Sequence, residues 1–121
     1  MSDEKTIVLE EHDIEMIKEN AEKAASLLKA LANKQRLMIL CNLARGEMSV
    51  SMLNDQLDLS QSALSQHLAR LRQDELVETR RDAQTIYYSL KAGLASQIIE
   101  LFYHHYCEVE EREVEEREVD E

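Results

Sequence analysis

No proline and only two glycines occur in the 121 residues of this chain. Proline removes a backbone donor and clashes with the preceding turn, and glycine weakens a helix interior. Sandwiches and barrels need both residues for their many turns. A chain so poor in them is confined to long helices and few tight turns, so a mainly helical fold is expected. One Phe and no Trp leave the core to Leu, Ile, Ala and Met. The length suits one domain with a real hydrophobic core, and not two.

The formal net charge of −11 argues at first against a nucleic-acid partner. Its distribution reverses that inference. Residues 1–19 carry net −5 and residues 108–121 carry net −7, whereas residues 20–107 carry net +1. The acidity sits at the ends and leaves the middle free to meet DNA, with non-specific affinity weakened by the nearby acids. No apolar run reaches membrane-spanning length, and no charged segment followed by an apolar one opens the chain. Two cysteines without C-x-x-C spacing make no disulfide scaffold. The expectation is a cytoplasmic protein with reduced thiols and no membrane contact. No Ser-His-Asp set, carboxylate pair or glycine-rich phosphate loop appears, so it is not expected to be an enzyme.

Residues 1–12 read as a flexible acidic N-terminus. Apolar residues at three-and-four spacing from Asp13 to Leu31 predict an amphipathic helix. Asn33 is placed to cap a second helix running to Arg45, and Gly46 stands where a left-handed backbone would end it. In that helix Leu37, Leu40, Cys41 and Ala44 form one face, with Ile39 and Leu43 beside it. Ser49 caps a short helix to Leu57, and Ser60 caps another from Gln61 to Gln73, with Leu59 as the buried aliphatic of the turn between them. Strands over 76–81 and 85–90 enclose a polar tip of Asp82, Ala83 and Gln84. A last helix covers Gly93 to Cys107, with Leu94, Ile98, Leu101, Phe102 and Tyr106 apolar. The order is α-α-α-α-β-β-α, a winged helix-turn-helix. From Val109 the repeat V-E-E-R-E places valines every five residues, on no single helix or strand face, so 108–121 reads as an acidic low-complexity tail.

The segment Gln61–Gln73 contains no acid, in a chain that has 25. Leu64, Leu68 and Leu71 repeat on its inner side. Gln61, Ser62, Ser65, Gln66, Ala69 and Arg70 face outward, with His67 included among the DNA-contact candidates. Short polar donors and an arginine suit base edges, and the helix N-terminus suits a phosphate. Arg80, Arg81, Thr85 and Tyr87 of the hairpin would reach backbone or minor groove.

The segments L-A-N-K-Q-R-L-M-I-L (31–40), L-S-Q-S-A-L-S-Q-H-L-A-R-L-R (59–72) and L-V-E-T-R-R-D-A-Q-T-I-Y-Y-S-L (76–90) together resemble the ArsR/SmtB family of winged-helix repressors. The resemblance covers residues 20–107. It implies a homodimer through the first and last helices, so that 13–107 is a dimerisation and DNA-binding domain. It also implies a double-stranded operator with an imperfect inverted repeat, read by two equivalent helices about 34 Å apart.

Members of that family sense metals through C-x-C before the reading unit or D-x-H…H-x-x-E in the last helix. Here M-S-V-S-M-L (48–53) holds no Cys or His, and no Asp-x-His precedes His104 and His105. Cys41 in L-C-N-L and Cys107 in Y-H-H-Y-C instead resemble the dithiol branch, the HlyU-, BigR- and SqrR-like regulators. By that resemblance Cys41 and Cys107 would join through a disulfide or polysulfide bridge in response to persulfide, polysulfide or oxidant, and DNA would be released. No cofactor is implied. A buried cysteine is more commonly an inert small hydrophobe, and the match at both positions favours the sensor. Arg45, four residues after Cys41, would favour its thiolate, whereas the acids after Cys107 would disfavour one there. Cys41 is therefore expected to attack first and Cys107 to resolve. Two other readings remain: a metal- or metalloid-responsive repressor binding through Cys41, His104 and Cys107, and a protein-interaction module with little DNA affinity.

Overall fold

A computed structural model describes Val8 and residues 10–108, and the tail repeat and most of the acidic N-terminus lie outside the described residues. The elements are α1 (Glu11–Leu31), α2 (Lys34–Leu43), β1 (Met48–Ser49), α3 (Val50–Gln56), α4 (Gln61–Gln73), β2 (Val77–Asp82), β3 (Thr85–Leu90) and α5 (Leu94–Tyr103), followed by a π-helical turn over His104–Glu108. The mainly helical winged helix-turn-helix is thus the observed fold. The one added element is β1, a two-residue strand on the outer side of the hairpin.

The chain divides into two units, one ending at Ala32 and the other beginning at Asn33. The first is α1. It begins two residues before Asp13, whose carboxylate accepts a hydrogen bond from the Glu10 N–H at 3.2 Å. That bond satisfies a donor the helix itself leaves open. Leu31 is buried, while Ile14, Met16, Ile17 and Leu28 are exposed.

The second unit opens where Asn33 accepts from the Arg36 N–H at 3.0 Å and starts α2. This helix stops at Leu43, two residues short of Arg45, and Gly46 follows with φ +142°. A Cβ on Gly46 would meet nothing within 4 Å, so the backbone angle, and not space, favours glycine there. Ile39, Leu40 and Leu43 are the buried side of α2, and Leu37, Cys41 and Ala44 are only half-buried. The anticipated inner face is therefore rotated by part of a turn. Ser49 accepts from the Met52 N–H at 3.2 Å and Ser60 from the Ala63 N–H at 3.1 Å, which starts α3 and α4 at the expected positions. Between these helices it is Leu57 that is buried, while Leu59 is half-exposed.

The sheet order is β1-β3-β2, antiparallel throughout, with Arg80 opposite Tyr87 and Asp82 opposite Thr85. Asp82 therefore ends the strand instead of joining the tip, and Ala83 and Gln84 alone make the hairpin turn. Ala83 takes a positive φ of 57°, which a two-residue hairpin loop demands and a glycine would adopt without strain. The core joins Ile39, Leu40, Leu53, Leu64, Leu68, Leu71 and Ile99, each nearly inaccessible to solvent. It is aliphatic throughout. Fully burying a side chain of this size is worth about 1.5–3 kcal/mol before entropy is charged against it.

Candidate nucleic-acid interface and thiol pair

Helix α4 is positioned from within. Leu64, Leu68 and Leu71 lock its inner face into the core, which sends Gln61, Ser62, Ser65, Gln66, Ala69 and Arg70 into solvent. His67 is half-buried and sits at the edge of that outer face. The Ser60 cap fixes the first turn, where Gln61 and Ser62 stand. Arg70 is tethered through its Nε to the Asp74 carboxylate at 3.2 Å, one helical turn on. Such an exposed pair is easily exchanged for another anion. Helical spacing did not single out Arg72, which is exposed and lines a groove of about 380 Å³ with Ser65, Ala69, Gln73 and Tyr88. That groove runs along α4, and only the fold brings Tyr88 of β3 beside it.

The wing supplies exposed Arg80, Arg81 and Thr85. A cleft of about 660 Å³ separates it from α3 and the start of α4, lined by Ser49, Ser51, Asn54, Gln61, Thr85 and Tyr87 among others. The two wing arginines differ. Arg80 donates from Nε to Glu47 Oε2 at 3.1 Å and from Nη2 to Oε1, and its guanidinium lies 4.7 Å from the centre of the Tyr87 ring. The hydrogen bond from Arg80 holds the Glu47 carboxyl below the usual carboxylate range. Arg81 has no such tether among the described residues. The sequence alone offered no means of pairing Glu47 with Arg80, 33 positions apart.

Cys41 lies on α2, which packs against α5, and Cys107 lies in the π-helical turn that continues α5. Both are free and half-buried. They lie close enough to interact electrostatically. Burial pushes the Cys41 thiol above its ordinary pKa, and Cys107 pushes it further in the same direction. Cys41 was expected to be the activated thiol, with Arg45 favouring the thiolate. That expectation fails on burial: desolvation first and Cys107 second disfavour the Cys41 thiolate, while Arg45 stands in the exposed turn after α2. The last helix was expected to run unbroken to Cys107. It instead widens at His104, so Cys107 leaves the face that regular α-helical spacing would assign it. Among the described residues no three His, Cys, Asp or Glu side chains gather closely enough to hold a metal ion, and none of the helices is long and apolar enough to cross a membrane.

A capped, acid-free helix presented beside a hairpin that carries two exposed arginines is the arrangement of a winged-helix DNA-binding protein. The description "Bacterial regulatory protein, arsR family" matches residues 33–79, from the cap of α2 into β2. The transcriptional activator HlyU of Vibrio cholerae serotype O1 is 50% identical over 96 residues, covering 79% of this chain and 89% of that protein. Reduced HlyU from Vibrio cholerae N16961 superposes with a TM-score of 0.71 at 52% identity, covering 76% of this chain and 97% of that one. The transcriptional repressor BigR from Xylella fastidiosa superposes with a TM-score of 0.73 at 40% identity, covering 79% and 95%. The chain belongs to the arsR family of bacterial regulatory proteins and is a DNA-binding transcriptional regulator, not an enzyme.

Proposed function

We propose that this regulator holds its operator while both thiols are reduced and releases it when Cys41 and Cys107 are bridged. The observation that carries the reading is the nearness of two free, half-buried thiols, Cys41 on α2 and Cys107 just beyond α5, with Cys107 close enough to act on Cys41. Helix α2 also packs on α4 and on β3, so a bridge that pulls on α2 acts directly on the elements that support the reader.

The bridge can form from two kinds of donor. A low-molecular-weight persulfide transfers its outer sulfur to one thiol and leaves as a thiol. The second cysteine then attacks the protein-bound sulfur of that persulfide and expels hydrogen sulfide, giving a disulfide. If both cysteines are persulfidated, loss of one hydrogen sulfide leaves a trisulfide. A disulfide oxidant accepts the two electrons instead and departs as two thiols. The thiolate is the nucleophile, and burial disfavours it at Cys41. We therefore assign the first attack to Cys107 and the closing step to Cys41, reversing the order expected from local sequence.

In this reading Gln61, Ser62, Ser65, Gln66, His67 and Arg70 approach the major groove, and Arg81 and Thr85 follow the backbone beside it. A second copy would cover the exposed apolar sides of α1 and of α5 with its π-helical continuation, where Leu101 and Tyr106 are 66% and 64% exposed. The two reading helices would then meet an imperfect inverted repeat. Relatives include a named activator and a named repressor. Operator occupancy is therefore the regulated quantity, with repression the direct consequence where the site overlaps a promoter. Cys41→Ser and Cys107→Ser should each bind operator as wild type does and lose the response to a persulfide donor in a mobility-shift titration. Retained response in either variant would reject the bridge.

A further inference from the structure

Arg80 and Arg81 are neighbours in β2 whose side chains point to opposite faces of the sheet, because strand residues alternate. We propose that Glu47 is a positioning residue that holds Arg80 against Tyr87 and keeps it off the DNA phosphates, so that Arg81 is the phosphate contact of the wing. The proposal rests on the operator-binding reading and adds to it a division of labour between two adjacent cations.

Strand pairing builds this arrangement. Tyr87 is paired on one side with Arg80 and on the other with Ser49, the cap of α3. Glu47 stands two residues before Ser49, so the β1–β3 pairing carries its carboxylate to the wing. There it accepts from both Nε and Nη2 of Arg80, while the guanidinium stacks over the Tyr87 ring at 4.7 Å. Arg80 and Glu47 side chains remain 54% and 41% exposed, so solvent and salt reach them. A guanidinium presents the same fork of donors to a carboxylate as to a phosphate, and donors engaged by one are withheld from the other. The pair also carries no net charge, and a neutral pair releases no counterion from DNA. Arg81, on the other face, keeps its full charge and has no ion-pair partner among the described residues.

The salt dependence of operator binding separates this role from a merely structural one. Each phosphate neutralised contributes about −0.9 to the slope of log K against log salt. Glu47→Gln keeps the size of the side chain and removes its charge. It should free Arg80, steepen the slope by about 0.9, and enlarge the affinity loss between about 50 and 200 mM salt by about 3.5-fold relative to wild type. Arg80→Gln should keep the wild-type slope, Arg81→Gln should flatten it by about 0.9, and Glu47→Gln with Arg80→Gln should restore it. Thermal melts by circular dichroism confirm that each exposed substitution leaves the fold intact.

Three results would overturn the proposal. One is a flattened slope in Arg80→Gln, meaning that Arg80 exchanges Glu47 for phosphate on binding. Another is a steepening by Glu47→Gln that persists without Arg80, which would be a general charge effect. The third is no change in Glu47→Gln. A wild-type protein with no salt-dependent operator affinity would instead remove the operator-binding reading, and this proposal with it.

Discussion

Helix α4 turns three deeply buried leucines inward and a row of short polar side chains outward, whereas the thiol-bearing region leaves one half-buried thiol on α2 and another in the widened turn after α5. The first region is built to stay as it is. Its cap, its leucine stripe and its place against β2 all fix one orientation, so the reading surface exists before DNA arrives. The second region is, in the proposed function, the one that changes. A reagent can reach a half-buried thiol, and a π-helical turn interrupts the regular spacing of the α-helix it continues. Stability therefore belongs to the reader and reactivity to the corner that would control it.

Leu68→Ala gives the largest test of that contrast. It removes a side chain that is only 1% exposed and should cost about 2–5 kcal/mol in urea or thermal unfolding. Cys41→Ser, at a half-buried position, should cost much less. Equal costs would mean that the thiol corner is as tightly packed as the reader. Gln66→Ala lies on the opposite side of the same helix. It should change stability by less than about 0.5 kcal/mol and weaken operator binding by about 1–3 kcal/mol, while binding to scrambled DNA is unchanged. An equal loss on both DNAs would make Gln66 a backbone contact and not a base reader.

The smallest effect is in pH dependence. The Cys41 thiol is raised in the folded state by burial first and by Cys107 second. The folded protein therefore keeps a proton that the unfolded chain has already released. Its contribution to stability is complete below the unfolded thiol pKa of about 8.5 and declines as pH rises towards the folded value. Alkylation of Cys41 followed by mass spectrometry should show an inflection above that of an unfolded thiol. An inflection at or below it would restore Cys41 as the first nucleophile.

The reader was legible in the sequence because its determinants are local. Ser49 and Ser60 cap helices that begin one residue later, Leu64, Leu68 and Leu71 repeat at helical spacing, and the missing acids of Gln61–Gln73 can be counted. The shortfalls are all matters of tertiary placement. Arg45 seemed to favour the Cys41 thiolate until burial proved to disfavour it, and Leu59 seemed the buried turn residue until Leu57 took that place. No periodicity could pair Glu47 with Arg80, or reveal that Arg80 is already held by a carboxylate, because β1 is only two residues long. The resemblance to dithiol regulators pointed to Cys41 and Cys107, and the influence of Cys107 on Cys41 is a property of the folded chain.

The central claim is that one covalent event at the thiol corner empties the reading helix. It is tested most directly by titrating the operator-bound protein with a persulfide donor and measuring, in the same samples, the fraction of Cys41–Cys107-linked chain by mass spectrometry and the fraction of DNA still bound. The account predicts that the two fractions change together, with release tracking linkage within one subunit and reversing on reduction. Fully linked protein that still holds its operator, or release that precedes any linkage, would contradict it.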